Sequence, residues 1–345
     1  MLLITGSILF AIVLCASYFA VGVVARAGRK RNRVAVPNER SLHSEPVPYG
    51  AGLVIAVTCI VAYPAISYFV SDTFSWGYFT GACLITLVSY LDDVFSVPFF
   101  VRLLVHSLAA VLLIFDVDTW HGITALGNIH LGLWGYVITF LWIVWMVNAY
   151  NFMDGIDGLA GLQSLTAATG WLLLAYAINM PALYLFAGVL AASSLGFLLH
   201  NWHPARIFMG DVGSAFLGYT FAALPLIARH MAEKGWDLLP IAALLFVWFF
   251  MFDSTVTVIR RLFRGENVFS AHREHLFQRL VSSGLTHTRV TVVYGVLATL
   301  LSLSVLTSIA YREDIGLAMF PVVIILTLAL LALCVWRGVL FKRVA

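Results

Sequence analysis

The feature that most constrains this sequence is a series of apolar runs, each close to the length of a membrane-spanning helix. Apolar residues make up 61% of the chain and charged residues only 11%, far from the averages of soluble domains. The runs lie near residues 2–25, 51–70, 77–91, 101–115, 133–150, 158–179, 181–199, 213–230, 238–262, 289–310 and 315–336. They lack the period-two alternation of barrel strands, and helices satisfy their own backbone hydrogen bonds in lipid. The sequence therefore predicts an all-α integral membrane protein with about eleven transmembrane helices.

The basic residues indicate how these helices are oriented. The first run is followed by a cluster from Arg26 to Arg33, which is typical of an uncleaved first helix whose N-terminus lies outside. With that start, 17 of the 20 lysines and arginines fall in odd-numbered connections, and only Arg229, Lys234 and Arg312 do not. The positive-inside rule then predicts that these connections and the C-terminus are cytoplasmic. Because the net charge of +3 is explained by topology, no nucleic acid partner is expected.

The chain is predicted to form a single polytopic membrane domain spanning residues 1–345. Its polar motifs fall in cytoplasmic loops near 26–50, 92–100, 148–158, 200–213 and 263–288. One outer connection, 116–132, has β-branched and aromatic residues around a Leu-Gly-Asn turn, which predicts a small extracytoplasmic β-hairpin. The four cysteines lie in apolar runs without metal-ligand spacing, so they predict neither a disulfide nor a zinc site.

Asp92 and Asp93 end the third run as adjacent carboxylates. Their mutual repulsion would be relieved by a divalent cation, or by a proton shared with a phosphate. Two solvated acids at a helix end are the alternative.

The second motif runs from Asn148 to Gly161. Asn148, Asn151, Asp154 and Asp157 follow one another at intervals of three, so a helical stretch would place all four on one face. Amide and carboxylate groups are costly in lipid, which leaves a solvated loop as the alternative to a ligand site.

The third motif runs from Asn201 to Ser214. Arg206 can hold a phosphate, and Gly210 can allow a ligand to approach the backbone. Asp211 stands at the predicted start of a helix, where an acid acts either as a cap or as a ligand of a metal-bridged phosphate.

The fourth motif combines Arg260, Arg261 and Arg264 with a histidine pair in the next connection. His272 and His275 flank Arg273, which suits phosphate contact or proton transfer better than structural zinc. An ordinary basic loop is the alternative.

Three further polar residues lie within the apolar runs. Asp253 is a candidate functional acid, with an inward structural hydrogen bond as the alternative. Arg102 and His106 are predicted to be structural or interfacial.

Together the motifs are typical of phosphoryl transfer, in which cations stabilise the charge on phosphate oxygens. Oxygen ligands without thiolates favour Mg²⁺, with Mn²⁺ as a second candidate. Chemistry at the face of a membrane bundle indicates one lipid substrate and one soluble substrate.

In this order the motifs resemble the polyprenyl-phosphate N-acetylhexosamine-1-phosphate transferase superfamily, glycosyltransferase family 4. The resemblance covers nearly the whole chain. It rests on Pro37-Asn38-Glu-Arg40-Ser-Leu-His43 with Pro46-Val-Pro48-Tyr-Gly50, the Asp92-Asp93 pair, NAYNFMDGIDGLAG, NWHPARIFMGDVGS and AHREHLFQRL. His272-Arg-Glu-His275 is similar to the WecA and WbpL branch rather than to MraY.

The resemblance implies a Mg²⁺-dependent transfer of N-acetylhexosamine 1-phosphate from a UDP-sugar to undecaprenyl phosphate, with release of UMP. The implied setting is the cytoplasmic face of a bacterial inner membrane, at the start of O-antigen or related surface glycan synthesis. The lipid bilayer is the surrounding partner, and a homodimer is one open alternative for the assembly. Direct attack and a covalent aspartyl phosphate remain alternatives for the reaction path.

Carried over to matching positions, the resemblance also implies residue roles. Metal ligation falls to Asp211 and Asn151, and catalysis to Asp92, Asp93, His272 and His275. Substrate binding falls to Asn148, Asp154, Asp157, Asn201, Arg206, Gly210 and Arg273. Tyr49 and Ala51 depart from the family loop, which often has a basic residue and glycine there.

Two rival functions fit the sequence less well. A secondary transporter or flippase would place its acids near the bilayer midplane, whereas most acids here lie at helix ends. A CDP-alcohol phosphotransferase would need an arginine closely after the Asp-Gly pair and further acids downstream, which the stretch after Gly158 lacks.

Overall fold

Helices form nearly all of the regular structure. A computed structural model of the protein describes residues 2–36, 45–71, 73–123, 129–231, 238–267, 272–310 and 315–340. In chain order the helices are α1 (Leu2–Lys30), α2 (Gly52–Ile66, continued by a π-helical turn at Ser67–Ser71), α3 (Trp76–Phe95), α4 (Phe99–Val117), α5 (Trp134–Met153), α6 (Leu159–Ala177), α7 (Pro181–Asn201), α8 (Asp211–Met231), α9 (Leu239–Phe246), α10 (Trp248–Phe263), α11 (Leu276–Ser282), α12 (His287–Ala310) and α13 (Ile315–Trp336). The prediction of an all-α membrane protein is confirmed.

Two short antiparallel strand pairs complete the described elements. β1 (Val34–Ala35) pairs with β2 (Val47–Pro48), and β3 (Gly122–Ile123) pairs with β4 (Ile129–His130). The second pair confirms the strand pairing predicted between the fourth and fifth runs. The predicted Leu-Gly-Asn turn lies outside the described residues, and the extracytoplasmic side stays a prediction. The motif residues Pro37, Asn38, Arg40 and His43 lie outside the described residues.

Fewer of the described helices qualify as membrane spans than the eleven that were predicted. Among the described residues, nine helices are long and apolar enough to cross a membrane, and ten if α9 and α10 together form one span. The apolar run 238–262 is therefore wrong as a single straight helix, because α9 and α10 are bent by 75° at their junction. The 19-residue α6 falls outside this set, since polar residues such as Gln163 interrupt it. The count of eleven is not confirmed, and the orientation stays a prediction.

Helices α7 and α8 lie at the centre of the bundle. In their most apolar stretches 89% and 94% of the residues are buried, against 22% for α1 and 17% for α13. α7 packs on α1, α2 and α6, and α8 packs on α3 and α5. Small residues permit these close contacts, because a Cβ on Gly52 of α2 would lie 2.2 Å from the Cα of Gly213 in α8. The central helices thus hold the start of α8 at a fixed place among its neighbours.

Candidate active site

The polar motifs meet at one end of the bundle. The end of α3 contacts the start of α8, because the backbone N–H of Asp211 donates to Asp93 Oδ1 at 3.1 Å. The end of α5 contacts the same helix, where Asn151 Nδ2 donates to Ser214 Oγ at 2.9 Å. Motifs that are far apart in sequence therefore form one site around the N-terminus of α8.

Asp93 caps α8 from a different helix. Its Oδ1 accepts from the N–H of Asp211, and its Oδ2 accepts from the N–H of Val212 at 3.4 Å. Gly210 has a φ of +79°, and a Cβ there would lie 2.9 Å from Asp93 Oδ2 and 3.2 Å from the Cα of Gly50. The space beside Gly210 that was predicted to admit a ligand is thus occupied by Asp93 and Gly50.

The capping role gives a prediction for stability. Replacing Asp93 with Ala should lower the free energy of unfolding by about 1–2 kcal/mol, since two N–H groups at the start of α8 lose their acceptor. Asp93→Asn keeps one acceptor oxygen and should lose less. Thermal unfolding in detergent, followed by tryptophan fluorescence, measures both. Equal unfolding temperatures for the Ala variant and the unmodified protein would contradict the capping role.

Asp92 faces a different partner, which sequence reasoning missed. Its Oδ2 pairs with Nη1 of Arg102, near the start of α4, and its Oδ1 accepts from the N–H of Val97 at 2.7 Å. Nη1 of Arg102 also lies 3.1 Å from Oδ2 of Asp211. Arg102 was predicted to be structural or interfacial, but it joins two of the predicted site carboxylates. Arg102 follows Asp92 by ten residues across a Pro98 turn, and this spacing alone carries no known pattern.

The donor set around Asp211 fits a hard divalent cation. The Asp211 carboxylate interacts with the side chains of Asn151 and Asp92 as well as with Arg102. Burial, followed by the nearby carboxylates of Asp211 and Asp93, raises the pKa of Asp154 to about 7. Carboxylates that hinder one another's ionisation gain from a bound cation, and oxygen ligands are those Mg²⁺ prefers. The residues present therefore fit the implied metal.

The predicted helical face from Asn148 to Asp157 is wrong in its second half. α5 ends at Met153, Asp154 leaves the helix with φ −82° and ψ 67°, and Gly158 begins α6 in the left-handed region. Only Asn148 and Asn151 remain on α5, and Asn148 Nδ2 donates to the carbonyl of Val144 in its own helix at 2.7 Å. The regular helix therefore ends before both acids, and the next helix begins after them.

Asn201 and Asp157 tie this connection to the one before α8. Asn201 is buried; its Oδ1 accepts from the N–H of Gly158, and its Nδ2 donates to the carbonyl of Ile207, both at 2.9 Å. Asp157 accepts from His203 Nδ1 at 2.6 Å. These side chains hold loops together, so their contact with substrate stays a prediction, as does that of the exposed Arg206 on the same connection.

The histidine pair lies against a buried acid. Asp253 is fully buried and accepts from Tyr294 at 2.7 Å, from the N–H groups of Leu276 and Phe277, and from His275 Nδ1 at 3.3 Å. The structural alternative for Asp253 is therefore the one the contacts support.

His272 stacks on His275 with ring centroids 5.1 Å apart. Burial, with His275 and Arg261 nearby, lowers the pKa of His272 to about 4, so its ring is neutral at pH 7. His272 can accept or donate a hydrogen bond but does not supply a positive charge. Arg273, between the two histidines, is half-buried, and its phosphate contact stays a prediction.

Arginines from the end of α10 and from α11 surround Glu274. Arg261 Nη1 lies 2.7 Å from its carboxylate and Arg264 Nη1 lies 3.2 Å away, while Arg260 and Arg279 each lie 3.6 Å away. Glu266 also lies 3.1 Å from Nη1 of Arg261, so four guanidinium groups face two carboxylates and leave an excess of positive charge. The fourth connection is thus a basic cluster built on an internal acid.

A cavity of about 240 Å³ opens beside Asp93. Apolar residues of α1, α2 and α3 line it, together with Arg31, Arg33 and Tyr49. Tyr49 also donates from its hydroxyl to the backbone carbonyl of Asp93 at 3.0 Å. The cavity combines apolar walls with positive charge next to the site carboxylates.

Comparison with known proteins agrees with the sequence motifs. Residues 75–229 match the family model of glycosyl transferase family 4. The chain is 28% identical to a probable undecaprenyl-phosphate N-acetylglucosaminyl 1-phosphate transferase of Bacillus subtilis, over 88% of this chain and 84% of that protein. It is 28% identical to a decaprenyl-phosphate N-acetylglucosaminephosphotransferase of Mycobacterium tuberculosis, over 93% and 87% of the two chains. It is 26% identical to an undecaprenyl-phosphate alpha-N-acetylglucosaminyl 1-phosphate transferase of Escherichia coli O157:H7, over 91% and 86%.

Proposed function

Because residues 75–229 of this chain match glycosyl transferase family 4, we propose that it belongs to this family and transfers N-acetylhexosamine 1-phosphate from a UDP-sugar to undecaprenyl phosphate. The observation that carries the proposal is the meeting of Asp92, Asn151, Asp154 and Asp211 with Arg102 at one end of the bundle. Such a set suits two phosphorylated substrates, one of them bound from the lipid.

In the proposed reaction an oxygen of undecaprenyl phosphate attacks the phosphorus that carries the sugar. The bond from that phosphorus to the oxygen bridging the UDP-sugar's two phosphorus atoms breaks, and UMP leaves with the bridging oxygen and its electrons. A phosphate monoester has a second pKa near 6, so the acceptor is already largely a dianion at pH 7. Asp92 therefore need not remove a proton, and its pairing with Arg102 suits it to orienting the guanidinium.

The charge of each residue indicates its role in the proposed reaction. Asp211 and Asn151 would hold Mg²⁺, or Mn²⁺, which when bound neutralises charge on the phosphate oxygens. Arg102 lies beside the same carboxylates and supplies a guanidinium for a phosphate of either substrate. Asp93 keeps the start of α8 in position for Asp211. The basic cluster around Glu274 suits the negatively charged donor.

The cavity beside Asp93 suits the acceptor. Val24, Leu53 and Val94 contribute apolar walls for the first isoprene units, and Arg31 and Arg33 contribute charge for a phosphate. The long lipid tail would continue into the bilayer, where the exposed faces of the outer helices are apolar. This chemistry supports a lipid phosphate over a soluble acceptor.

We further propose that the product starts O-antigen or a related surface glycan, and that the reaction occurs at the cytoplasmic face of a bacterial inner membrane. The His272-Arg-Glu-His275 sequence supports this branch over peptidoglycan synthesis, and the distribution of basic residues supports the orientation.

The proposal predicts UMP release in a defined mixture. Purified protein with Mg²⁺, undecaprenyl phosphate and a UDP-N-acetylhexosamine should release UMP and form a lipid-linked sugar. EDTA should stop the release, and added Mg²⁺ should restore it. A panel of UDP-GlcNAc, UDP-GalNAc and a UDP-6-deoxy-N-acetylhexosamine identifies the donor.

Two controls keep this test decisive. A relative with measured activity must release UMP in the same mixture, and the protein without lipid phosphate must not. If the relative is active and no donor gives UMP with this protein, the proposed function is rejected. Lipid phosphate crossing vesicle membranes without UMP formation would instead favour a flippase.

A further inference from the structure

Asp157, His203 and His287 form a three-residue cluster, the Asp-His-His cluster, beside the candidate active site. Asp157 lies between α5 and α6, His203 lies between α7 and α8, and His287 begins α12. Nδ1 of His203 lies 2.6 Å from Oδ2 of Asp157, and Nδ1 of His287 lies 3.5 Å from Oδ1. One oxygen or nitrogen atom from each residue can be chosen so that all three lie within 4.8 Å of one another. Three separate elements therefore direct potential metal ligands to one point.

His287 has an unsatisfied nitrogen that faces this point. Its side chain is only 10% exposed, and Nδ1 is buried without a hydrogen-bond partner among the described residues. At 3.5 Å the carboxylate is beyond the normal hydrogen-bond range for this nitrogen. A cation between the ring and the carboxylate would contact both.

The surrounding contacts hold the ligands in place. The N–H of Ala205 donates to Asp157 Oδ2 at 3.1 Å, and Thr291 Oγ1 donates to the backbone carbonyl of Asp157 at 2.9 Å. The His203 and His287 rings lie 5.1 Å apart between centroids. Hydrogen bonds thus hold both the side chain and the backbone of Asp157 in place.

The distances and ligand types fit zinc better than magnesium. Ligand atoms at about 2.0–2.2 Å from a tetrahedral Zn²⁺ lie roughly 3–4 Å apart, so the His203–Asp157 contact must lengthen by less than about 1 Å, and a ligand pair as far apart as 4.8 Å must close by about 1 Å. Imidazole nitrogen suits Zn²⁺, whereas Mg²⁺ prefers oxygen. The His203 side chain is 42% exposed, which gives an entry path and room for a water as fourth ligand.

We propose that the Asp-His-His cluster binds one Zn²⁺ ion and so ties together the connections before α6 and α8 and the start of α12. This site is separate from the oxygen ligands of Asp211 and Asn151, and it replaces the substrate contact that the resemblance implies for Asp157. Its test needs neither substrate nor turnover.

The test measures zinc binding without substrate. Full-length protein in detergent is stripped with EDTA, desalted, and titrated with Zn²⁺ against a chromophoric zinc chelator at pH 7.5. One Zn²⁺ per chain is expected, and millimolar Mg²⁺ should not displace it. His203→Ala should weaken binding by about 100-fold or more, since even residues outside the ligand shell change affinity 10–100-fold. Binding should also weaken below about pH 6.5, because protonated imidazole cannot bind a metal.

His121→Ala is the matched control. His121 is also an exposed histidine paired with an aspartate, at 2.9 Å from Asp118, but no third ligand has been found among the described residues. This variant should bind zinc as the unmodified protein does. His203 is exposed, so its loss should leave the fold intact even where His287→Ala does not fold.

Three results would overturn the proposal. They are absence of zinc binding by the unmodified protein, equal affinity in His203→Ala, and displacement of Zn²⁺ by Mg²⁺. In the first case the cluster is a hydrogen-bonded link between loops, and UMP release can still be measured. Failure of the zinc site is therefore distinguishable from failure of the proposed function.

Discussion

Replacing Asp211 with Asn is expected to reduce UMP release by about 10³-fold or more, which places it at background. The substitution keeps the size of the side chain and removes its charge. It should therefore leave the proposed metal with a neutral ligand in place of a charged one, and leave Arg102 without one of its two carboxylate partners. Raising Mg²⁺ to tens of millimolar should recover only a small part of the rate.

The measurement combines kinetics with stability. Initial rates of UMP release are taken across a range of Mg²⁺ concentrations, beside thermal unfolding of the same preparation. The unfolding temperature should change little, because the N–H of Asp211 and its contact with Asp93 remain. A matched control is Asp118→Asn, an exposed acid at the far end of α4 that should keep its activity within about twofold. Full turnover by Asp211→Asn would show that the charge of Asp211 is not needed to bind the metal.

Much of the site could be predicted because its residues lie in local sequence patterns. Asp92 and Asn151 follow apolar runs and Asp211 precedes one, and each has a glycine or a second polar motif residue within three positions. A change from apolar to polar residues indicates where the chain reaches the membrane surface. The structure brings these three together, as the order of motifs predicted.

The residues that were missed depend on packing between distant helices. Arg102 joins the site because α4 runs beside α3 and reaches α8, and no local pattern reports that approach. His203 and His287 face Asp157 across connections 46 and 130 residues away. Side chains recruited by tertiary contact leave no periodic signal in the sequence.

Two local predictions failed for a related reason. The run 238–262 is uniformly apolar across the break at Val247, and neither glycine nor proline marks the 75° bend there. The interval-of-three pattern from Asn148 to Asp157 continues past Met153, although the helix ends at that residue. Hydropathy and spacing describe which faces are polar, whereas helix ends depend on the contacts that satisfy the freed backbone groups.

Asp253→Ala is expected to lower both stability and activity, with a larger loss of stability than Asp93→Ala. Its carboxylate accepts hydrogen bonds from Tyr294, His275 and two backbone N–H groups at the start of α11. Leaving several buried donors without an acceptor should cost on the order of 3 kcal/mol or more. His275 should also lose the contact that orients its ring, so UMP release should fall even below the unfolding temperature.

Tyr294→Phe is the matched control, because it removes one donor and leaves the other bonds to Asp253 in place. Its loss should be about 1 kcal/mol, with activity retained. Asp253→Asn separates charge from shape: the amide keeps one acceptor oxygen but turns an NH₂ group toward donors, so it should resemble Ala in activity. Normal activity and unfolding temperature in both Asp253 variants would mean that α11 is held in place without this carboxylate. A fall in activity alone would instead assign Asp253 to orienting His275, because a purely structural acid would lower both together.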